Sequence, residues 1–193
     1  VNRSAANTTL FNSPALAFGC SHEHAGFPGT VSISARTLSA VVNDVVDSLA
    51  SQGIRGLIIV NAHGGNYVLS NVVQEANAQS QVRVGLFPSR EDWTEVRQAA
   101  GITSTAHEDM HAGELETSIL LATFPDHVRD GWQTADHSAT DRRYLTTLGM
   151  SAYTDSGVIG YPSRASAEKG RAVINHLGKA AGDLITLVVE PPA

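Results

Sequence analysis

The chain has 193 residues, 42% of them apolar and 17% charged, with a formal net charge of −6. That profile fits one ordinary globular domain over residues 1–193. With no Lys/Arg cluster anywhere, it argues against a nucleic-acid footprint or a basic membrane-surface patch. Uninterrupted apolar runs are too short to span a bilayer, and no segment has a signal peptide's layout. Cys20 stands alone, so an intrachain disulfide is excluded and a reducing, cytoplasmic location is expected.

In chain order, residues 1–12 form a small, polar lead-in. Residues 14–19 (PALAFG) read as a short buried strand. Residues 20–30 (CSHEHAGFPGT) form a Gly/Pro-rich loop carrying His22, Glu23 and His24. Ser34 or Thr37 caps the next helix, whose apolar face is Leu38, Val41, Val42, Val45, Val46 and Leu49. Gly53 closes it. Leu57, Ile58, Ile59 and Val60 then make a β-branched run suited to a strand buried on both faces.

That strand runs into Asn61, Ala62, His63, Gly64, Gly65 and Asn66, where an imidazole sits at a strand's carboxyl end, the edge at which α/β sheets gather ligands. Two glycines beside it permit a sharp turn or a close approach. Val68, Val72, Val73 and Ala76 mark a second amphipathic helix, and residues 82–87 (VRVGLF) a third strand. Residues 88–105 are less regular, with a helix over 91–100. Residues 107–118 (HEDMHAGELETS) open a further helix with its acids near the start, where the helix dipole favours them. Residues 131–149 are irregular in part, 156–166 form a turn-rich loop, and 168–187 form the last helix. Strands alternating with helices predict an α/β fold, a mainly parallel sheet between helical layers.

Three loops are rich in metal-capable groups: His22/Glu23/His24, His63, and His107/Glu108/Asp109/His111/Glu114/Glu116. Each taken singly reads as a solvated turn. A histidine in all three, each beside a strand-to-helix transition, points to a shared site. Imidazole nitrogen with carboxylate oxygen suits zinc, manganese or iron better than calcium. There is no GxSxG elbow and no P-loop lysine.

The stretches GCSHEHAGFPGTVSIS, GIRGLIIVNAHGGN, HAGELETSILLATFPDHVR and SGVIGYPSRASAEKG resemble, in order and spacing, the creatininase (creatinine amidohydrolase) family. The resemblance implies a three-layer α/β/α fold and a hydrolase centre of two divalent metals acting on amide-type C–N bonds. It also implies a homo-oligomer, commonly a hexamer, acting on a small amide or short peptide. Carried over by position, His63 and Glu116 are metal ligands, and His111 binds substrate or shuttles a proton. Glu23 and His24 match a pocket-lining pair, and Gly64, Gly65 and His107 fall at substrate-contacting positions. Glu114 is the second catalytic candidate, because on an ideal helix it shares a face with His111 whereas Glu116 points away.

Two departures bear on substrate. Gly64 and Gly65 stand where creatininase has Tyr-Glu, and His107 stands where it has a tryptophan. The HGGN pattern and the SGVIGYPSRASAEKG tail resemble more closely the mycofactocin-system peptidase branch, or the formamide-deformylase and cyclic-polyol hydrolase branches. The family's N-terminal Glu-x-His loop and bridging Asp have no counterpart before Pro14, and the chain opens at Val1. The expectation is a chain without that ligand loop, for which a non-catalytic oligomeric remnant is the alternative reading.

Overall fold

Ser34 starts the first helix, its Oγ accepting the Thr37 N–H at 3.1 Å. The computed structural model describes residues 9–190, so the beginning of the polar lead-in lies outside the described residues. Helix α1, Ala35–Ser51, buries Leu38, Val42 and Val46, one residue per turn. It ends where Gly53, at φ 75°, turns the chain back, with the Gly53 and Ile54 N–H groups returning to the Ala50 and Leu49 carbonyls. Only glycine adopts that conformation without steric cost.

Strand β1, Gly56–Val60, helix α2, Leu69–Gln79, and strand β2, Arg83–Phe87, form a βαβ unit. The strands are parallel, from Gly56 opposite Arg83 to Val60 opposite Phe87. Alternation along them sorts the two faces. Leu57, Ile59, Val84 and Leu86 pack against α1 and α2, around Leu38, Val42, Val46, Leu69, Val72 and Ala76. Gly56 and Gly85 face the other way. A Cβ on Gly56 would lie 2.8 Å from Val188, and one on Gly85 3.1 Å from Leu184. Both partners belong to helix α6, Ala167–Val189, so this part of the chain is layered α/β/α. Asn77 on α2 accepts the Val84 N–H at 2.9 Å and donates to the Val84 carbonyl at 2.8 Å. A side-chain amide thus replaces a neighbouring strand there.

The chain divides into two compact units. The first comprises Val1–His22, Val31–Pro88 and Ala180–Ala193, and the second Glu23–Thr30 and Ser89–Lys179. In the second, Ser89 and Asp92 form a reciprocal capping box at the start of helix α3, Arg90–Ala99. Helix α4, Glu114–Thr123, and the first part of α6 pack with α3 around Val96, Ala100, Leu115 and Val173. The two helices approach closely enough that a Cβ on Gly170 would overlap the Ser118 carbonyl. Residues 131–149 contain the 3-10 turn Trp132–Thr134, an isolated antiparallel bridge from His137 to Gly160 and the single-turn helix α5, Leu145–Leu148.

Two expectations are corrected. Residues 14–19 are not a buried strand: they join no ladder, and Leu16 and Phe18 are about half exposed. An apolar run becomes a strand only when a partner takes up its backbone groups in a ladder, and the Gly19 carbonyl accepts the Ile33 N–H at 3.0 Å without forming one. Strand β1 is only half buried and Val60 is exposed, because a single described strand flanks it. By length and composition, though not by any uninterrupted run, α6 is apolar enough to cross a membrane. Val173 and Leu177 of this helix pack in one unit and Leu184 and Val188 in the other, while Ile174, Leu187 and Val189 are exposed.

Candidate functional site

In the first unit, the turn after β1 is built from amides. The Asn61 N–H continues the ladder to the Phe87 carbonyl at 2.6 Å. The Asn61 Oδ1 then accepts the His63 N–H at 3.3 Å and the Asn66 Nδ2 at 3.0 Å. Asn66 turns its own Oδ1 to the Cys20 N–H at 2.8 Å. Ser21 Oγ and His63 Nε2 are 3.2 Å apart, which orients the half-buried ring. Neither Gly64 nor Gly65 has a positive φ. What glycine contributes at Gly64 is room, since none of the described residues beyond its chain neighbours lies within 4 Å of where its Cβ would stand.

In the second unit, a 3-10 turn presents Glu23 and His24. Their Oε1 and Nε2 are 3.5 Å apart, with both side chains about 15% exposed. The His24 carbonyl accepts from the Phe27 N–H and the Thr30 hydroxyl, so the loop folds back over its own backbone. The His24 ring lies 4.7 Å from that of His111, tilted by 54°. His111 is clamped by its backbone, donating to the Ile159 carbonyl at 3.0 Å and accepting the Ile159 N–H at 2.9 Å. Its Nδ1 faces Glu116 Oε2 at 3.7 Å. That oxygen also accepts the Ala112 N–H at 2.6 Å.

Glu114 is placed differently from the helix-face expectation. Helix α4 begins at Glu114, with Gly113 as its N-cap, so His111 precedes the helix and shares no face with it. The Glu114 side chain is wholly buried. It accepts from Lys169 Nζ at 2.6 Å, from the Thr103 and Ser104 N–H groups, and from both hydroxyls. Burial pushes its carboxyl up, but the Lys169 ammonium and the Thr103 and Ser104 donors outweigh this and bring it down to about 2. It is a satisfied structural anion. Glu116, which the ideal helix turned away from His111, is the carboxylate facing it.

The remaining predicted residues fall nearby in sequence but not in one cluster. His107 holds the Thr140 carbonyl through Nε2 at 2.7 Å, and Arg142 donates to the His107 carbonyl at 2.7 Å. Glu108 accepts from the Thr105 N–H and hydroxyl, which hold its carboxyl below the usual range. The second unit therefore assembles Glu23, His24, His111 and Glu116, while His63, Gly64 and Gly65 belong to the first. Sequence reasoning reads Asn61 and Asn66 only as turn-formers and assigns nothing to Arg97 or Lys169, which hold these turns in shape. The NAHGGN asparagines flanking His63 were the visible signal, since asparagine caps tight turns. No local signal marks Lys169, which reaches Glu114 across 55 residues of chain.

A family model described as creatininase, creatinine amidohydrolase, matches residues 1–185. The mycofactocin precursor peptide peptidase of Mycobacterium ulcerans is 33% identical over 165 residues, covering 83% of this chain and 60% of that protein. The chain thus spans about three fifths of that relative's length. A crystal structure of creatinine amidohydrolase superposes with a TM-score of 0.74 at 25% identity, over 93% of this chain and 75% of the other. Creatininase in a manganese form and a mutant creatininase of zinc–zinc type each match with a TM-score of 0.67 at 27% identity, over 86% of this chain and 68% of theirs.

Proposed function

Because the chain belongs to the creatininase family, we propose that it acts as a metal-dependent amidohydrolase, hydrolysing an amide-type C–N bond. The observation that carries this reading is the His24–His111–Glu116 arrangement, two imidazoles in ring contact with a carboxylate facing one of them. The donor chemistry fits the group the family uses. Glu23 and His24 bring carboxylate oxygen and imidazole nitrogen together in a largely buried turn, the ligand types zinc and manganese take. His63 and Glu116 are each proposed as metal ligands. A divalent cation supplies charge in such a site, polarising a carbonyl and making water a better nucleophile near neutral pH.

The chain's own residues have separable tasks. Glu116 faces Nδ1 of His111, leaving Nε2 to hold a proton and deliver it to the departing nitrogen. The Ile159 clamp fixes the ring's origin while His24 limits its tilt. For substrate, we favour a short peptide over a flat ring. The open space at Gly64 and the exposed His107 support that reading, as does the peptidase relative. We also read the protein as a homo-oligomer acting in the cytoplasm, the former supported by the exposed side chains of Leu10, Phe11, Leu16 and Phe18.

The test is hydrolysis of formamides, lactams and short peptides by protein loaded with zinc or manganese. Turnover is expected, with His111→Ala slower by about 10²–10⁴-fold and His63→Ala purifying with less metal. Absence of turnover together with unchanged metal content in His63→Ala would favour the non-catalytic remnant.

A further inference from the structure

The side chains that present His111 and Glu116 are themselves held by a buried ion pair that touches neither. Asp109 is 6% exposed. Its carboxylate accepts the Glu114 N–H at 2.5 Å and the Leu115 N–H at 3.1 Å, the first donors of α4. The N-cap position itself is Gly113, which has no side chain to cap with. A carboxylate from four residues upstream therefore does the capping and closes residues 109–114 into a ring.

Arg97 completes the ring. Its Nη1 reaches Asp109 Oδ2 at 3.2 Å and the Ser104 carbonyl at 3.1 Å, and its Nη2 the Asp109 carbonyl at 3.1 Å. Two glycines make the space. A Cβ on Gly113 would overlap Asp109 Oδ1, and one on Gly160 would stand 2.5 Å from the same oxygen. Within this ring Ala112 is held at φ 52°, a left-handed conformation that L-residues seldom adopt. That bend aims the Ala112 N–H at Glu116 Oε2, on the side where His111 Nδ1 lies.

We propose that Asp109 and Arg97 are positioning residues: their ion pair fixes the left-handed bend at Ala112 and so sets the separation of His111 from Glu116. This rests on the amidohydrolase reading for its catalytic consequence, but the geometric part stands independently. Loss of the pair is expected to lower turnover while leaving substrate affinity nearly intact, because neither side chain touches the exposed ends of the site. A change of about an ångström in the placement of reacting groups is worth on the order of 10²-fold in rate.

The experiment combines histidine-ring NMR with kinetics on the full chain carrying Asp109→Asn, Arg97→Ala or Arg97→Lys. Asparagine keeps the volume but places an NH₂ where one N–H must be accepted. The His111 ring signals are expected to shift and broaden in Asp109→Asn and Arg97→Ala while those of His137 and His176 stay put. Arg97→Lys, which keeps the charge, should restore the His111 signals in part. In the hydrolysis assay kcat should fall tenfold or more with KM within about twofold, and Arg97→Lys should recover part of kcat. Folded variants with an unchanged His111 signal would overturn the proposal, as would a uniform shift of all histidines. If Asp109→Asn does not fold, the two Arg97 variants decide. A wild type that hydrolyses nothing would count against the amidohydrolase reading alone, since the NMR arm still reads the geometry.

Discussion

Two histidine-bearing turns in this chain are stiffened by opposite means. Around His63 the hydrogen bonds come from neutral groups: Asn61 and Asn66 bond to each other and to the backbone, and Ser21 Oγ meets His63 Nε2. Around His111 the frame is ionic, with Asp109 on Arg97 and Glu114 on Lys169, the two carboxylates all but withdrawn from water. A neutral frame loses little when one member is changed, because an unpaired amide costs only its own desolvation. An ionic one fails more abruptly, because the partner left behind is a buried charge.

The sharpest break in that contrast is Glu114→Ala. It strips the acceptor from Lys169, from the Thr103 and Ser104 N–H groups and from two hydroxyls. The expected loss is about 3–5 kcal/mol in urea unfolding, with Glu114→Gln costing less. Acid should do the same reversibly. The Glu114 carboxyl is lowered from 4.5 to about 2, so its stabilisation is complete above pH 4.5 and is lost as pH falls towards 2. Both tryptophans, Trp93 and Trp132, lie in the second unit, and their fluorescence should report that loss, roughly 2–3 kcal/mol, within that window. Hydrogen-exchange protection of the Cys20 amide, held by Asn66, should outlast it.

On the neutral side, Asn66→Ala should cost about 1–2 kcal/mol, the penalty of leaving the Cys20 N–H without its acceptor. A cost as large as that of Glu114→Ala would erase the distinction between the two frames. The smallest effect expected is Ser34→Ala, about 1 kcal/mol from loss of the α1 cap. It lies outside both frames and calibrates the scale.

What the sequence disclosed follows the same division. Helix α1, the order of strand, helix and strand around LIIV, and the stop at Gly53 are written in neighbouring residues and stand as read, and of the two cap candidates it is Ser34 that caps. The periodicity of 91–100 likewise gives α3. Residues 14–19 could not be read that way, since whether a short apolar run pairs depends on a distant strand. Glu114 misled for a related reason. Its spacing from His111 assumed a helix through both, while the cap that starts α4 comes from Asp109, and its charge is met by Lys169 far along the chain. Glu116 and His111 share the site's chemistry through a turn whose left-handed residue is an alanine, a type that gives no warning of such a bend.

The backbone contact at Gly170 has a consequence for variation in this protein. Where helices mesh through side chains, substitutions grade from mild to severe with size. Here a carbonyl of one helix occupies the volume that any side chain on the other would need. The position should therefore behave as all-or-none in a saturation screen, with every replacement, alanine included, scoring alike.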